Sequence, residues 1–197
     1  MTKKKTYDAV VIGASAGGLE ALSAILPGLP DDFPLPVIVV QHISPHSDNY
    51  LSTHLNRISA IRIKEADEKE TLQAGTVYIA PPNYHLLIES DSTLSLTTDE
   101  KVNYSRPSID VLFESACWAF SGKVIALILT GANHDGSEGA KMIHQAGGMV
   151  IVQDPFTAQV SVMPESVIKK TIPDQILKLE EIASFLIKAT GYKKKSP

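Results

Sequence analysis

Apolar residues along this chain come in short, β-branched runs that alternate with segments where they recur every three or four positions. The short runs predict buried strands and the periodic segments predict amphipathic helices. Residues 8–12 form the first strand, closed by Gly13, and residues 19–26 follow as a helix that stops before Pro27-Gly28. Residues 36–41 form a second strand. Residues 48–58 then predict a helix with Asp48 as N-cap and Tyr50, Leu51, His54, Leu55 and Ile58 at helical spacing. Residues 61–65 are a short third strand.

The middle of the chain has a different texture. A strand over 76–80 ends in Pro81-Pro82-Asn83, and residues 84–89 and 93–98 flank a Ser-Asp-Ser turn, which reads as a β-hairpin. The helical pattern returns over 108–120, with Ser108 as N-cap behind Pro107 and Ile109, Leu112, Phe113, Ala116 and Phe120 on one side. Residues 124–129 are the most apolar strand and belong in the sheet interior. A helix over 137–146 closes at Gly147-Gly148, a strand follows over 149–153, and helices over 164–170 and 179–189 complete the chain. Buried strands alternating with helices predict a doubly wound α/β fold. Its sheet is mainly parallel with helices on both faces, and the antiparallel hairpin is an excursion from it. The expected layout is one domain over 8–189, a disordered tail at 1–7 and a basic tail at 190–197.

Composition narrows the class. The 197 residues are 44% hydrophobic and 20% charged, which excludes a disordered chain, a collagen or a coiled coil. The net charge of −4 argues against a broad nucleic-acid-binding surface. Lys3-Lys4-Lys5 and Lys193-Lys194-Lys195 read as solvated tails. A single cysteine, Cys117, excludes an internal disulfide and a cysteine zinc cluster, and its neighbours suit a buried helix position. The longest apolar stretch, 124–129, has six residues, too few to span a membrane. With no signal peptide at Met1–Lys5, a cytoplasmic location is expected.

In a parallel α/β sheet, ligands bind outside the carboxyl ends of the strands, so the loops after the strands are where chemistry is expected. The first reads Gly13-Ala14-Ser15-Ala16-Gly17-Gly18. A P-loop would need a lysine, and a dinucleotide fingerprint would need glycine at Ser15 and an acid after the second strand, where Gln41-His42 stand instead. Gly13-x-Ser15-x-Gly17 does match a nucleophile turn between strand and helix, although a plain glycine-rich connection has the same residues. His42, directly after the second strand, suits a general base for a serine, or is a loop histidine without a role. His46, four residues on behind Pro45, does not form a helical zinc pair. The third loop is Thr130-Gly131-Ala132-Asn133-His134-Asp135-Gly136. Asp135 suits the orienting acid of a triad or an N-cap, and His134 is a rival imidazole.

Beyond these loops the chain resembles the catalytic domain of CheB, the chemotaxis receptor methylesterase family. The resemblance runs from about Asp8 to about Ala189. It rests on Ile12-Gly13-Ala14-Ser15-Ala16-Gly17-Gly18, Gln41-His42-Ile43, Tyr78-Ile79-Ala80-Pro81 and the run from Arg106 to Phe113. Ile128-Leu129-Thr130-Gly131, Asp135-Gly136, Gln145-Ala146-Gly147-Gly148 and Met163-Pro164 complete it. It implies a Ser15, His42, Asp135 triad that hydrolyses glutamate γ-methyl esters on receptor signalling helices to glutamate and methanol, with receptor glutamine deamidation as a second reaction. It implies backbone oxyanion donors at Ala132 and, on general grounds, at Ala16, with no metal or organic cofactor. A catalytically silent receptor-binding module of the same fold is the alternative. Two departures stand out: Ala16 where the family often has threonine, and Ala132-Asn133-His134 in place of a Met-Gly-Asn segment. Family members commonly carry an N-terminal receiver domain whose phosphorylation relieves inhibition, and seven residues before the first strand cannot hold one. Control is therefore expected from a separate response regulator or kinase partner, from a missing segment, or from substrate supply.

Overall fold

The structure, a computed structural model, describes residues 6–44 and 46–192. Both lysine runs and Pro45 lie outside the described residues. Nine strands alternate with six α-helices among the described residues. In chain order these are β1 (Ala9–Ala14), α1 (Gly18–Ile25), β2 (Val37–Gln41), α2 (Tyr50–Ile58), β3 (Arg62–Glu65) and β4 (Thr76–Ile79). Then come β5 (His85–Ile88), β6 (Leu94–Thr97), α3 (Ile109–Ala119), β7 (Val124–Ile128), α4 (Ser137–Gln145), β8 (Met149–Gln153), α5 (Val162–Lys170), β9 (Gln175–Leu177) and α6 (Leu179–Thr190).

Seven strands form one sheet in the order β3-β4-β2-β1-β7-β8-β9, and every pairing in it is parallel. β5 and β6 make the antiparallel hairpin outside it. The side-chain alternation of β1 shows how the two faces are covered. Ala9 and Val11 pack with α3, α4, α5 and the hairpin, whereas Val10, Ile12 and Ala14 pack with α1, α2 and α6. β7, the most apolar strand, is interior and lies beside β1, which takes the central place.

Several boundaries differ from the pattern-based reading. β1 runs on to Ala14, so the strand delivers the chain directly to Ser15. The helix expected at 164–170 starts at Val162, which places Pro164 in its first turn, where the missing N–H matters little. β9 was not anticipated; three residues, two of them exposed, carry too short a pattern to read. Asn49 is the N-cap of α2, and Asp48 instead accepts from the Tyr50 amide at 3.1 Å. Tyr7, assigned to the N-terminal tail, is buried in the core on the α1 side. At the other end Tyr192 donates its hydroxyl to Asp32 at 2.6 Å. Cys117 is buried as expected, while its neighbour Trp118 is exposed.

The sheet order also locates the crevice. From β1 the chain proceeds outward through β2 on one side, and β7 begins the succession on the other. The connections diverge at this boundary and open a gap at the carboxyl ends of β1, β2 and β7. Ser15, His42 and the 130–136 loop follow those three strands.

Candidate active site

Ser15 is held by its backbone. Its amide donates to the Thr130 carbonyl at 3.0 Å, and its carbonyl accepts from Gly18 N at 2.9 Å and Gln41 Nε2 at 2.8 Å. The hydroxyl is half-buried, and among the described residues it makes no hydrogen bond. The turn is not strained at the serine. Gly17 takes the left-handed conformation, with φ 80°, and a Cβ there would lie 2.4 Å from the Gln159 side chain. The small residues after Ser15 therefore turn the chain into α1 and let the 154–161 segment close over the turn.

His42 continues the β1–β2 ladder, its amide donating to the Ala14 carbonyl at 3.0 Å. Its side chain is largely buried, 13% exposed, and Nε2 is 2.9 Å from Asp135 Oδ2. Asp135 is fully buried. It accepts from Ser108 Oγ at 2.9 Å, Asn103 Nδ2 at 3.0 Å, and the amides of Ile109 at 2.7 Å, Asp110 at 3.1 Å and Gly136 at 3.1 Å. The first amides of α3 thus point at a carboxylate from another loop, where the helix dipole favours negative charge. Asp135 caps α3 rather than α4, whose N-cap is Gly136. Ser108 sits at the N-cap position of α3, but its hydroxyl turns to Asp135 instead of to its own helix.

Burial alone raises a carboxyl pKa. Hydrogen bonds from His42, Asn103 and the Ile109 and Asp110 amides overcome it and hold that of Asp135 below the usual value. Asp110 is the counterpart. Burial, together with the negative Asp135 beside it, pushes its pKa up to about 6, against bonds from the Gly139 and Gly136 amides and Asn103. The Asn103 amide bridges the two carboxyls, at 2.8 Å from Asp110 and 3.0 Å from Asp135.

An ionised Asp135 only accepts, so the proton between the pair belongs to His42 Nε2. Neutral His42 then carries its lone pair on Nδ1, the nitrogen left for a nucleophile. His134, the rival imidazole, is exposed and bonded through Nδ1 to Ser166 Oγ at 2.6 Å, away from Asp135. The amides of Ala16 and Ala132 have no acceptor among the described residues. The two loops that carry them are tied together by Thr130, whose Oγ1 donates to the Ala16 carbonyl at 2.8 Å and accepts from Val160 N at 2.9 Å. Among the described residues no group of three or more histidine, cysteine, aspartate or glutamate side chains could hold a metal.

Residue-by-residue reading missed Asn103, Gln41 and Asn133 as parts of the site. Asn103 reaches it from an irregular loop with φ 50°, a conformation asparagine tolerates but does not announce. Gln41 ends β2. Its buried side chain spans two loops, donating to the carbonyls of Ser15 and His42.

Comparison with known proteins gives the family. The profile of the CheB methylesterase family matches residues 10–186. A Leptospira interrogans protein is 52% identical over 182 residues, spanning 92% of this chain and 94% of its own length. Its name, protein-glutamate methylesterase/protein-glutamine glutaminase, is provisional. A Methanosarcina acetivorans protein-glutamate methylesterase/protein-glutamine glutaminase is 37% identical over 97% of this chain, which covers 56% of that protein. The crystal structure of the Thermotoga maritima CheB methylesterase catalytic domain superposes with a TM-score of 0.89 at 38% identity, covering 93% of this chain and 98% of that one. A match along nearly the whole sheet and all three loops places this chain in the CheB methylesterase family.

Proposed function

We propose that the protein is a serine esterase of chemotaxis adaptation. It hydrolyses glutamate γ-methyl esters on the cytoplasmic signalling helices of chemoreceptors to glutamate and methanol, and deamidates receptor glutamine at the same site. The observation that carries this reading is the 2.9 Å bond between His42 Nε2 and a fully buried Asp135 in the crevice that Ser15 enters from β1.

The steps follow from the tautomer. Asp135 keeps the Nε2 proton on His42, so Nδ1 takes the proton of Ser15 Oγ as the oxygen attacks the ester carbonyl. The new negative charge falls on the carbonyl oxygen, to which the Ala16 and Ala132 amides donate. The imidazolium, stabilised by Asp135, returns its Nδ1 proton to the departing methoxide, and methanol leaves. Water then enters, gives a proton to Nδ1 and attacks the acyl group, and Ser15 recovers its proton as glutamate is released. With glutamine as substrate, ammonia leaves in place of methanol. No step needs a metal or an organic cofactor.

The test is methanol release from methylated receptor by Ser15→Ala. Its rate should fall to background while the thermal unfolding midpoint stays within a few degrees of wild type. Undiminished release would overturn the assignment of Ser15 and the esterase mechanism with it.

A further inference from the structure

The hydrogen bonds around His42 contain one that the mechanism does not use. Asn133 Nδ2 stands 3.3 Å from His42 Nδ1, the nitrogen that must accept the Ser15 proton. The amide orientation is set from its other end, because Asn133 Oδ1 accepts from the Asp135 amide at 3.2 Å. With the oxygen engaged there, the NH2 group faces His42 and donates to the Nδ1 lone pair. On the opposite edge of the ring, Asp135 holds the Nε2 proton. Both ring nitrogens are therefore engaged while the Ser15 hydroxyl is joined to neither.

We propose that Asn133 is a positioning residue that holds His42 away from its nucleophile in the resting enzyme: its side-chain amide covers the Nδ1 lone pair, and substrate binding must displace it before Ser15 can be deprotonated. The proposal rests on the esterase reading for its kinetic consequence, though not for the contact itself. One neutral, partly exposed hydrogen bond changes an equilibrium by about fivefold, so the latch is weak enough for a substrate to open. It lowers the fraction of enzyme in which Nδ1 is free for Ser15.

The surroundings of His42 isolate this contact. Asp135 faces it directly, and Asp110 lies behind Asp135 through the shared Asn103 amide. Ser15 from the β1 end and Asn133 from the loop after β7 bring no charge, and His134 next to Asn133 bonds to Ser166 of α5. Substituting Asn133 by alanine therefore leaves the charges around the ring in place.

The experiment uses the full chain in two measurements. Nitrogen-15 NMR of the His42 ring is compared between wild type and Asn133→Ala at one pH where the ring is neutral, and methanol release from methylated receptor is measured at the same pH. In Asn133→Ala the Nδ1 resonance should move from the position of a hydrogen-bonded nitrogen toward that of a free lone pair, and kcat/KM should rise about fivefold. An unmoved Nδ1 resonance overturns the proposal, as does a moved resonance with kcat/KM unchanged or lowered. If neither protein releases methanol, the esterase reading fails and the Nδ1 resonance still decides the contact.

Discussion

Replacing Asp135 by asparagine removes one buried charge and turns one of two acceptor oxygens into a donor. The structure decides which one. Oδ1 accepts from Asn103, Ser108, Asp110 N and Gly136 N, whereas Oδ2 accepts from His42 and Ile109 N. The new amide keeps its oxygen where four donors converge and puts its NH2 at the Oδ2 position. There it meets the Ile109 N–H, left buried without an acceptor at about 1–3 kcal/mol, and it meets His42. The remaining bonds lose their charge assistance, while the desolvation of a carboxylate and its repulsion with Asp110 disappear. The balance is a loss of about 2–4 kcal/mol, read from urea unfolding. The catalytic effect is larger. His42 can bond to the new NH2 only by accepting at Nε2, which moves its proton to Nδ1, the face where a base is needed. The resulting tautomer carries no lone pair toward Ser15, and kcat should fall by about 10⁴, the order known for such a tautomer error in a serine protease. Nitrogen-15 NMR of His42 should show the proton exchanged between ring nitrogens. A folded Asp135→Asn protein with methanol release within tenfold of wild type would refute the tautomer argument.

Two further predictions concern the frame around the site. Asp110 holds its proton up to about pH 6 in the folded protein against an ordinary value of 3.8, so between those limits the folded state binds more protons than the unfolded. Its contribution to stability is present below about pH 4 and is lost as pH rises toward 6, on the order of 3 kcal/mol in full. Asp135, with a lowered value, acts in the opposite sense, stabilising above the usual carboxylate range and less as pH falls through its folded value. Asp110→Asn should therefore remove most of the decline between pH 4 and 6 in urea-unfolding series, and an unchanged decline would assign it to other groups. Gly13→Ala places a Cβ 2.4 Å from Ile109 Cγ2, at the first turn of α3 whose amides hold Asp135. A loss of about 1–3 kcal/mol with reduced methanol release is expected, and wild-type values of both would mean that α3 yields without disturbing the site.

Much of this was legible from the chain. Buried runs at β1, β2 and β7 imply a parallel sheet, and the loop after each can be named as chemistry-bearing because parallel sheets bind ligands at one end. The sequence left His42 and His134 open as the imidazole partner of Asp135. Local spacing places Ser108 at the N-cap of α3, where it stands, and leaves Asp135 open between an orienting acid and an N-cap; both side chains serve groups distant in sequence. Their short polar side chains bond equally well to the next turn or to another loop, and the pattern alone does not distinguish these.

What the sequence determined by itself was the order of elements and the end of the sheet where function lies, because burial on both faces dictates continuous apolar runs and parallel strands dictate helical crossovers. What only the tertiary structure decided was the wiring within the crevice. The order β2-β1-β7 brings three loops into one crevice. α3 then supplies the amides that hold Asp135, Asn103 ties it to Asp110, and Asn133 meets the free nitrogen of His42. These contacts join residues up to 91 positions apart. Their directions are set by how helices seat on the sheet, and no local pattern encodes that.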